Sequence, residues 1–494
     1  MARLGRTTAS LVLLGTLTLA GCSRSELVEP PEPAGTYQAN WESLAQHEAP
    51  AWFNDAKLGI FIHWGVYSVP GWAPVEGQYG ELTRERFFQV NPYAEWYWNS
   101  MRIQGSPTNE HHRATYGDDF EYAAFLSTFN EEVEKWKPEE WGDLFAAAGA
   151  RYVVLTTKHH DGFTLWPSSV ANPNRPADQQ GARRDLVGEL TEAVLRHGMR
   201  MGVYYSGGID WSFNDTLIDG PGILRTTAVP RSEEYARYVD AQWRELIDRY
   251  EPDILWNDIT YPENAGLAEL LADYYNRFPD GAVNNRWGVR RHTGDEPEDS
   301  DWVEFADFFT PEYAKLEEIS QAKWETCRGI GYSFGYNRNE TEDQMISVDE
   351  LVDLLVDIVS KNGNLLLNVG PMADGTIPPG QVERLRGLGA WLGVNGEAIY
   401  GSIPWSRAAG ETASGVPLRF TRKDDALYAV LLETPKARRV EIPSLPLAPD
   451  AQVRLLGAEE ALEWSTAGEG VVIQLPSDLP DAPAHTLRIS PPPA

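Results

Sequence analysis

Several apolar runs in this chain end alike, a short β-like stretch followed by polar residues able to do chemistry. Gly59-Ile60-Phe61-Ile62 leads into His63-Trp64-Gly65, and Tyr152-Val153-Val154-Leu155 leads into His159-His160-Asp161. Met201-Gly202-Val203 leads into Tyr204-Tyr205, and Ile254-Leu255 into Trp256-Asn257-Asp258. Short continuous apolar runs suit strands buried on both faces of a parallel sheet. Helical periodicity precedes several of them, at 139–148, 185–197, 232–249 and 347–361. Leu351, Leu354, Leu355 and Ile358 form one apolar stripe, and Ser347 with Glu350 has the spacing of a capping box. Gly198 and Gly363 stand where helix-terminating glycines belong.

Helix alternating with buried strand predicts an α/β fold, an irregular (β/α)8-like, TIM-type barrel over residues 40–402. The expected strands are 57–63, 151–157, 199–206, 254–258, 282–286, 307–310, 329–334 and 364–369. The fifth to seventh are weakly separated by helices, hence the expected irregularity. A doubly wound open sheet competes, but no glycine-rich phosphate loop follows the first strand. After Trp405 the strands become short and alternating, punctuated by Pro, Gly and Asp, which predicts an antiparallel β-sandwich over 403–494. In a barrel the carboxyl ends of the strands surround one pocket, so the polar residues above can share a site.

A chain of 494 residues with 42% hydrophobic content can build a large core, and two domains are expected. Its net charge of −31 argues against a nucleic-acid partner. Arg3 and Arg6 precede a short apolar stretch, 11–20, too short to cross a bilayer. It ends in Leu19-Ala20-Gly21-Cys22, which resembles the lipobox of bacterial lipoproteins. That resemblance implies a signal peptide over 1–21, lipid attachment at Cys22 and a membrane anchor. Residues 22–39, with Pro30, Pro31 and Pro33, then read as a flexible tether. The expectation is an exported bacterial lipoprotein, periplasmic or at the cell surface. Ser23 after Cys22 resembles the outer-membrane pattern. Cys327 is left without a disulfide partner and is expected to be a buried thiol.

Asp258 carries the chemistry best. It stands at the expected mouth of a strand beside Trp256, where a carboxylate can act as nucleophile on an anomeric carbon. A glycosidase needs a second carboxyl as acid and base. Glu312, in Thr310-Pro311-Glu312-Tyr313, and Glu95, in Glu95-Trp96-Tyr97, both qualify on residue type. His63, His159, His160 and Asp161 raise the alternative of a metal site. Adjacent residues on an extended strand point to opposite sides, which disfavours His159 and His160 sharing a metal. No metal and no cofactor is therefore expected.

Trp52-Phe53, Ala56-Lys57-Leu58-Gly59-Ile60-Phe61-Ile62-His63-Trp64-Gly65, Lys158-His159-His160-Asp161-Gly162-Phe163, Leu255-Trp256-Asn257-Asp258 and Asn368-Val369-Gly370-Pro371 share one order and spacing. Together they resemble the α-L-fucosidases of glycoside hydrolase family 29, over about residues 45–435. The resemblance implies a retaining exo-α-L-fucosidase without metal, acting on fucosylated oligosaccharides or polysaccharides. It implies Asp258 as nucleophile and Glu312 as acid/base. It also implies a fucose pocket of His63, Glu95, Trp96, His159, His160, Tyr204, Trp256 and Arg286. Residues 289–304 form a longer, acidic segment than the family pattern leads one to expect, between Arg286 and Glu312. A fucose-binding protein without catalysis is the rival, and the presence of both carboxylates argues against it.

Overall fold

The computed structural model describes residues 37–224, 226–288 and 305–493. The expected signal peptide, Cys22, nearly all of the tether and the acidic segment 289–304 lie outside the described residues.

Seven parallel strands form the first sheet. They are β1 (Leu58–Ile62), β2 (Tyr152–Lys158), β3 (Arg200–Ser206), β4 (Ile254–Asp258), β5 (Ala282–Val283), β6 (Trp324–Gly329) and β7 (Gly363–Val369). They lie in the order β5-β4-β3-β2-β1-β7-β6. β1, β2, β4 and β7 are buried along their whole length, as their apolar runs required. The outer edges, β5 and β6, are joined through residues 307–309. Asn284 bridges Phe308, and Phe309 bridges Trp324.

Two expected strands are corrected here. Residues 307–310 make single-residue bridges because side chains take over part of the pairing. Asp307 Oδ2 accepts from the Val283 N–H (2.8 Å) and the Tyr275 hydroxyl (3.1 Å). Asn285 Oδ1 accepts from the N–H (3.1 Å) and the hydroxyl (2.9 Å) of Thr310. The strand expected at 329–334 lies instead at Trp324–Gly329. Beyond it the backbone is claimed by carboxylates, the half-buried Glu340 and the buried Glu95: the Ser333 N–H donates to Glu340 Oε1 (2.7 Å) and the Gly335 N–H to Glu95 Oε2 (2.7 Å).

Helices Pro138–Ala147, Leu186–Arg196, Glu233–Tyr250 and Val348–Ser360 precede β2, β3, β4 and β7. Asp185, Ser232 and Ser347 cap the last three, and Ser347 forms its capping box with Glu350. Gly198 has φ +71° just past its helix, as expected. Gly363 does not fill that role. Asn362 takes the positive φ (76°), and Gly363 opens β7 against Trp324, whose ring atoms would lie 2.6 Å from an added Cβ.

The C-terminal part holds two antiparallel sheets around one apolar core. Its strands are β8 (Ile403–Glu411), β9 (Pro417–Lys423), β10 (Ala426–Leu431), β11 (Arg439–Ile442), β12 (Gln452–Leu455), β13 (Trp464–Ala467), β14 (Gly470–Gln474) and β15 (His485–Ser490). They are ordered β12-β15-β10-β9-β8 and β11-β14-β13. This part is fastened to the barrel through Asp357, on helix Val348–Ser360. Asp357 receives Arg419 Nε of β9 (2.6 Å) and Lys361 Nζ (2.8 Å).

Candidate active site

Asp258 is the last residue of β4 and is 7% exposed. Its Oδ1 accepts from Arg286 Nη1 (2.9 Å) and the Ile259 N–H (2.9 Å), and its Oδ2 from the Tyr204 hydroxyl (2.7 Å). Burial alone would raise its pKa. The Arg286 guanidinium and these hydrogen bonds outweigh burial and hold the carboxyl below the usual range. The result is a desolvated group that stays ionised, the state a carboxylate nucleophile requires.

Arg286 follows β5 and is fixed from several sides. Nε donates to Thr310 Oγ1 (2.8 Å), and Nη2 to the Thr310 carbonyl (3.0 Å). Its guanidinium lies 4.7 Å from the centroid of the Trp256 ring. Nη2 also reaches Glu312 Oε2 at 3.4 Å, so one planar cation binds both candidate carboxylates. Glu312 pairs with Cys327 of β6 in a single parallel bridge. Its Oε1 accepts from the Tyr93 hydroxyl at 2.7 Å.

The histidines form one wall. Asn368 Nδ2 donates to the Phe334 carbonyl (2.6 Å), which turns Oδ1 toward His63 Nδ1 (2.7 Å). His63 Nδ1 is therefore the protonated nitrogen, and Nε2 keeps its lone pair. The Ser206 hydroxyl donates to the Ile209 carbonyl (2.7 Å) and so accepts from His160 Nδ1 (2.7 Å). Burial pushes His63 down to about 3 and His160 to about 4. His159 is held lower than usual by burial and by both neighbours. All three rings are neutral at pH 7 and offer a mixed donor and acceptor surface that suits hydroxyl groups.

Aromatic rings complete the pocket. Tyr204 stacks on Trp256 (5.5 Å) and on His159 (5.7 Å). Trp96 meets His160 edge-on at 5.3 Å. Phe61 and Phe334 pack on His63 at 4.6 and 4.9 Å. Beneath this wall Trp256 Nε1 donates to Glu325 Oε1 (3.1 Å), and the Tyr152 hydroxyl donates to the other oxygen of Glu325. Glu95 is fully buried and pushed up to about 7 by burial, against the Gly335 N–H it accepts.

The structure brings Asp258, Glu312, His63, Glu95, Trp96, His159, His160, Tyr204, Trp256 and Arg286 to one place. One expectation changes. His159 and His160 do not diverge, because β2 ends at Lys158 and the chain turns, the Gly162 N–H donating to the His159 carbonyl (3.0 Å). Their ring centroids are 4.0 Å apart. Even so, among the described residues no three His, Cys, Asp or Glu side chains cluster in a way that could hold a metal. Cys327 is buried as expected, with Sγ 3.9 Å from Arg286 Nη2. Tyr93, Thr310, Ser206 and Glu325 escaped the sequence reading. Each works through another side chain; Thr310 and Ser206 adjoin residues singled out in the sequence, but nothing there gives Thr310 its bond to Arg286 or Ser206 its bond to His160.

Two family models match this chain, that of the α-L-fucosidases over residues 27–397 and that of the α-L-fucosidase C-terminal domain over residues 413–490. The tissue α-L-fucosidase of Rattus norvegicus is 36% identical over 472 residues, covering 92% of this chain and 92% of the relative. The tissue α-L-fucosidase of Homo sapiens is 35% identical over 478 residues, covering 94% and 93%. A crystal structure of Thermotoga maritima α-fucosidase in complex with a mechanism-based inhibitor superposes with a TM-score of 0.82. It is 47% identical, covering 92% of this chain and 100% of that one.

Proposed function

This chain belongs to the α-L-fucosidases of glycoside hydrolase family 29, and from that premise we propose that Asp258 and Glu312 carry out its double displacement. The protein is a retaining exo-α-L-fucosidase that hydrolyses terminal α-L-fucose from glycans. In the first step an Asp258 oxygen attacks the anomeric carbon and forms an ester bond. The glycosidic bond breaks, and its oxygen leaves with the proton of Glu312. In the second step the Glu312 carboxylate takes a proton from water. The water oxygen attacks the anomeric carbon, the ester bond breaks, and Asp258 is released with net retention.

The observation that carries this assignment is the single guanidinium of Arg286, which binds Asp258 at 2.9 Å and Glu312 at 3.4 Å. Both carboxyls thereby face one reaction centre, Asp258 from the end of β4 and Glu312 from the segment bridged to β6 at Cys327. His63, His159, His160, Glu95 and Tyr204 supply partners for the sugar hydroxyls. Trp96 and Trp256, with Phe61 and Phe334, supply apolar surface for the sugar face and the C5 methyl. Asp258→Asn is expected to lower kcat on an aryl α-L-fucoside by about a thousandfold, roughly 4 kcal/mol. A loss below about tenfold would sink the nucleophile assignment. Glu312→Ala is expected to lose more on substrates with poor leaving groups than on activated ones.

The proposed location is a membrane surface, through acylation of Cys22. Arg3, Arg6, the apolar stretch 11–20 and Leu19-Ala20-Gly21-Cys22 support it. Labelled palmitate incorporated by the wild type and not by Cys22→Ser is the expected result; equal labelling of both would count against it.

A further inference from the structure

Glu312 has two oxygens and a donor on each. Arg286 Nη2 lies 3.4 Å from Oε2, and the Tyr93 hydroxyl lies 2.7 Å from Oε1. The shorter bond comes from a residue that is not at a strand end. Tyr93 immediately precedes the 3-10 turn Ala94–Trp96. Its N–H donates to Asn91 Oδ1 (2.9 Å), and its carbonyl accepts from the Trp96 N–H (3.0 Å). Its ring stands edge-on between Phe87 and Phe334, each 5.3 Å away, and it is 6% exposed. Packing therefore fixes the phenol oxygen beside the carboxyl and leaves its proton free to rotate.

The two donors differ in kind. A guanidinium in a protein is always charged and can only donate. A phenol hydroxyl can donate or accept. Glu312 must alternate between carboxylic acid and carboxylate in each turnover, and only the tyrosine can follow that change. We propose that Tyr93 is the positioning residue of the acid/base. Its hydroxyl donates to Oε1 while Glu312 is the carboxylate that takes the proton of water. It holds the same oxygen, and with it the plane of the group, while Glu312 carries the proton that the leaving group receives. The inference rests on the reading of Glu312 as acid/base.

The other groups facing Glu312 are Arg286 from the end of β5, Cys327 across the bridge from β6, and Glu95 from the turn that follows Tyr93. Glu95 is a like charge when ionised, Arg286 an opposite one. Tyr93→Phe leaves all three and the ring packing in place and removes one oxygen.

The test compares an alkyl α-L-fucoside with dinitrophenyl α-L-fucoside, whose leaving group departs without a proton. For Tyr93→Phe we expect kcat/KM to fall at least about tenfold on the alkyl substrate and less than about threefold on the activated one. Added to Glu312→Ala, the same substitution costs less than about twofold more, because its route of action is already gone. Equal losses on both substrates, or a full additional loss beside Glu312→Ala, would overturn the inference and leave Tyr93 as a pocket wall. If Glu312→Ala alone loses equally on both substrates, the acid/base reading fails and takes the inference with it. If Glu312→Ala is selective and Tyr93→Phe is not, only the inference fails.

Discussion

Arg286 stands 4.7 Å above the indole of Trp256, and that ring is tied from below to Glu325. The guanidinium plane that binds the two carboxyls is thus set by an aromatic floor as well as by Thr310. Arg286→Lys keeps the charge and loses both the planar fork and the stacking. A single ammonium cannot hold Asp258 and Glu312 together. We expect kcat/KM on an aryl fucoside to fall about a hundredfold, roughly 2.7 kcal/mol. Arg286→Gln removes the cation that holds Asp258 low. The carboxylate then protonates at higher pH, and the acid limb of its kcat/KM profile moves up. A profile that falls in height without moving would separate Arg286 from the ionisation of Asp258.

Asp357 is a buried ionic fastening between barrel and sandwich, with a side chain only 2% exposed. Burial would raise its pKa, but Lys361 and Arg419 hold it below the usual value. Its contribution to stability is present above the unfolded carboxyl's pKa and is lost as pH falls through the folded one. Asp357→Ala strands two largely buried cations and is expected to destabilise the protein by about 3–5 kcal/mol at pH 7. The gap in Tm from wild type should narrow in acid. A gap that is constant with pH would remove the ion pairs as its cause.

Glu340 behaves in the opposite sense. Burial pushes it up to about 8, against the hydrogen bond it accepts from the Ser333 N–H. Above the unfolded pKa of about 4.3 the unfolded chain has released a proton that the native state still holds, so stability falls as pH rises through this window. Glu340→Gln cannot ionise. Relative to wild type it is expected to be more stable at pH 8.5 than at pH 5, read as the difference in denaturant midpoint. The same difference at both pH values would show that Glu340 does not titrate in this window.

His63, His159, His160, Tyr204, Trp256 and Asp258 were legible because they end apolar runs, whereas Trp96 and Arg286 came only from the family resemblance. A parallel barrel strand must be continuously apolar, so a sudden His63, His159 or Asp258 marks where the strand leaves the core. Tyr93 and Glu325 carried no such mark. Tyr93 lies in a loop, and Glu325 lies inside β6, where a charged residue reads as a break in the strand. The same blindness explains the strands. Residues 57–63, 151–157 and 254–258 are paired by backbone ladders, which periodicity reports. At 307–310 the Asp307 and Asn285 side chains replace part of the backbone pairing, and sequence pattern does not distinguish a ladder from its imitation.

The single-residue bridges at Phe308 and Phe309 divide the catalytic pair between two mechanically unlike supports. The proposed nucleophile is set in β4, laddered to β3 along its whole length, next to the residues proposed to bind fucose. Its proposed partner hangs from a segment pinned at isolated points. Such a segment tolerates insertion in the chain leading to it, because no ladder has to be rebuilt in register. Changes in chain length there can therefore shift the proposed acid/base while the residues proposed to bind fucose keep their places.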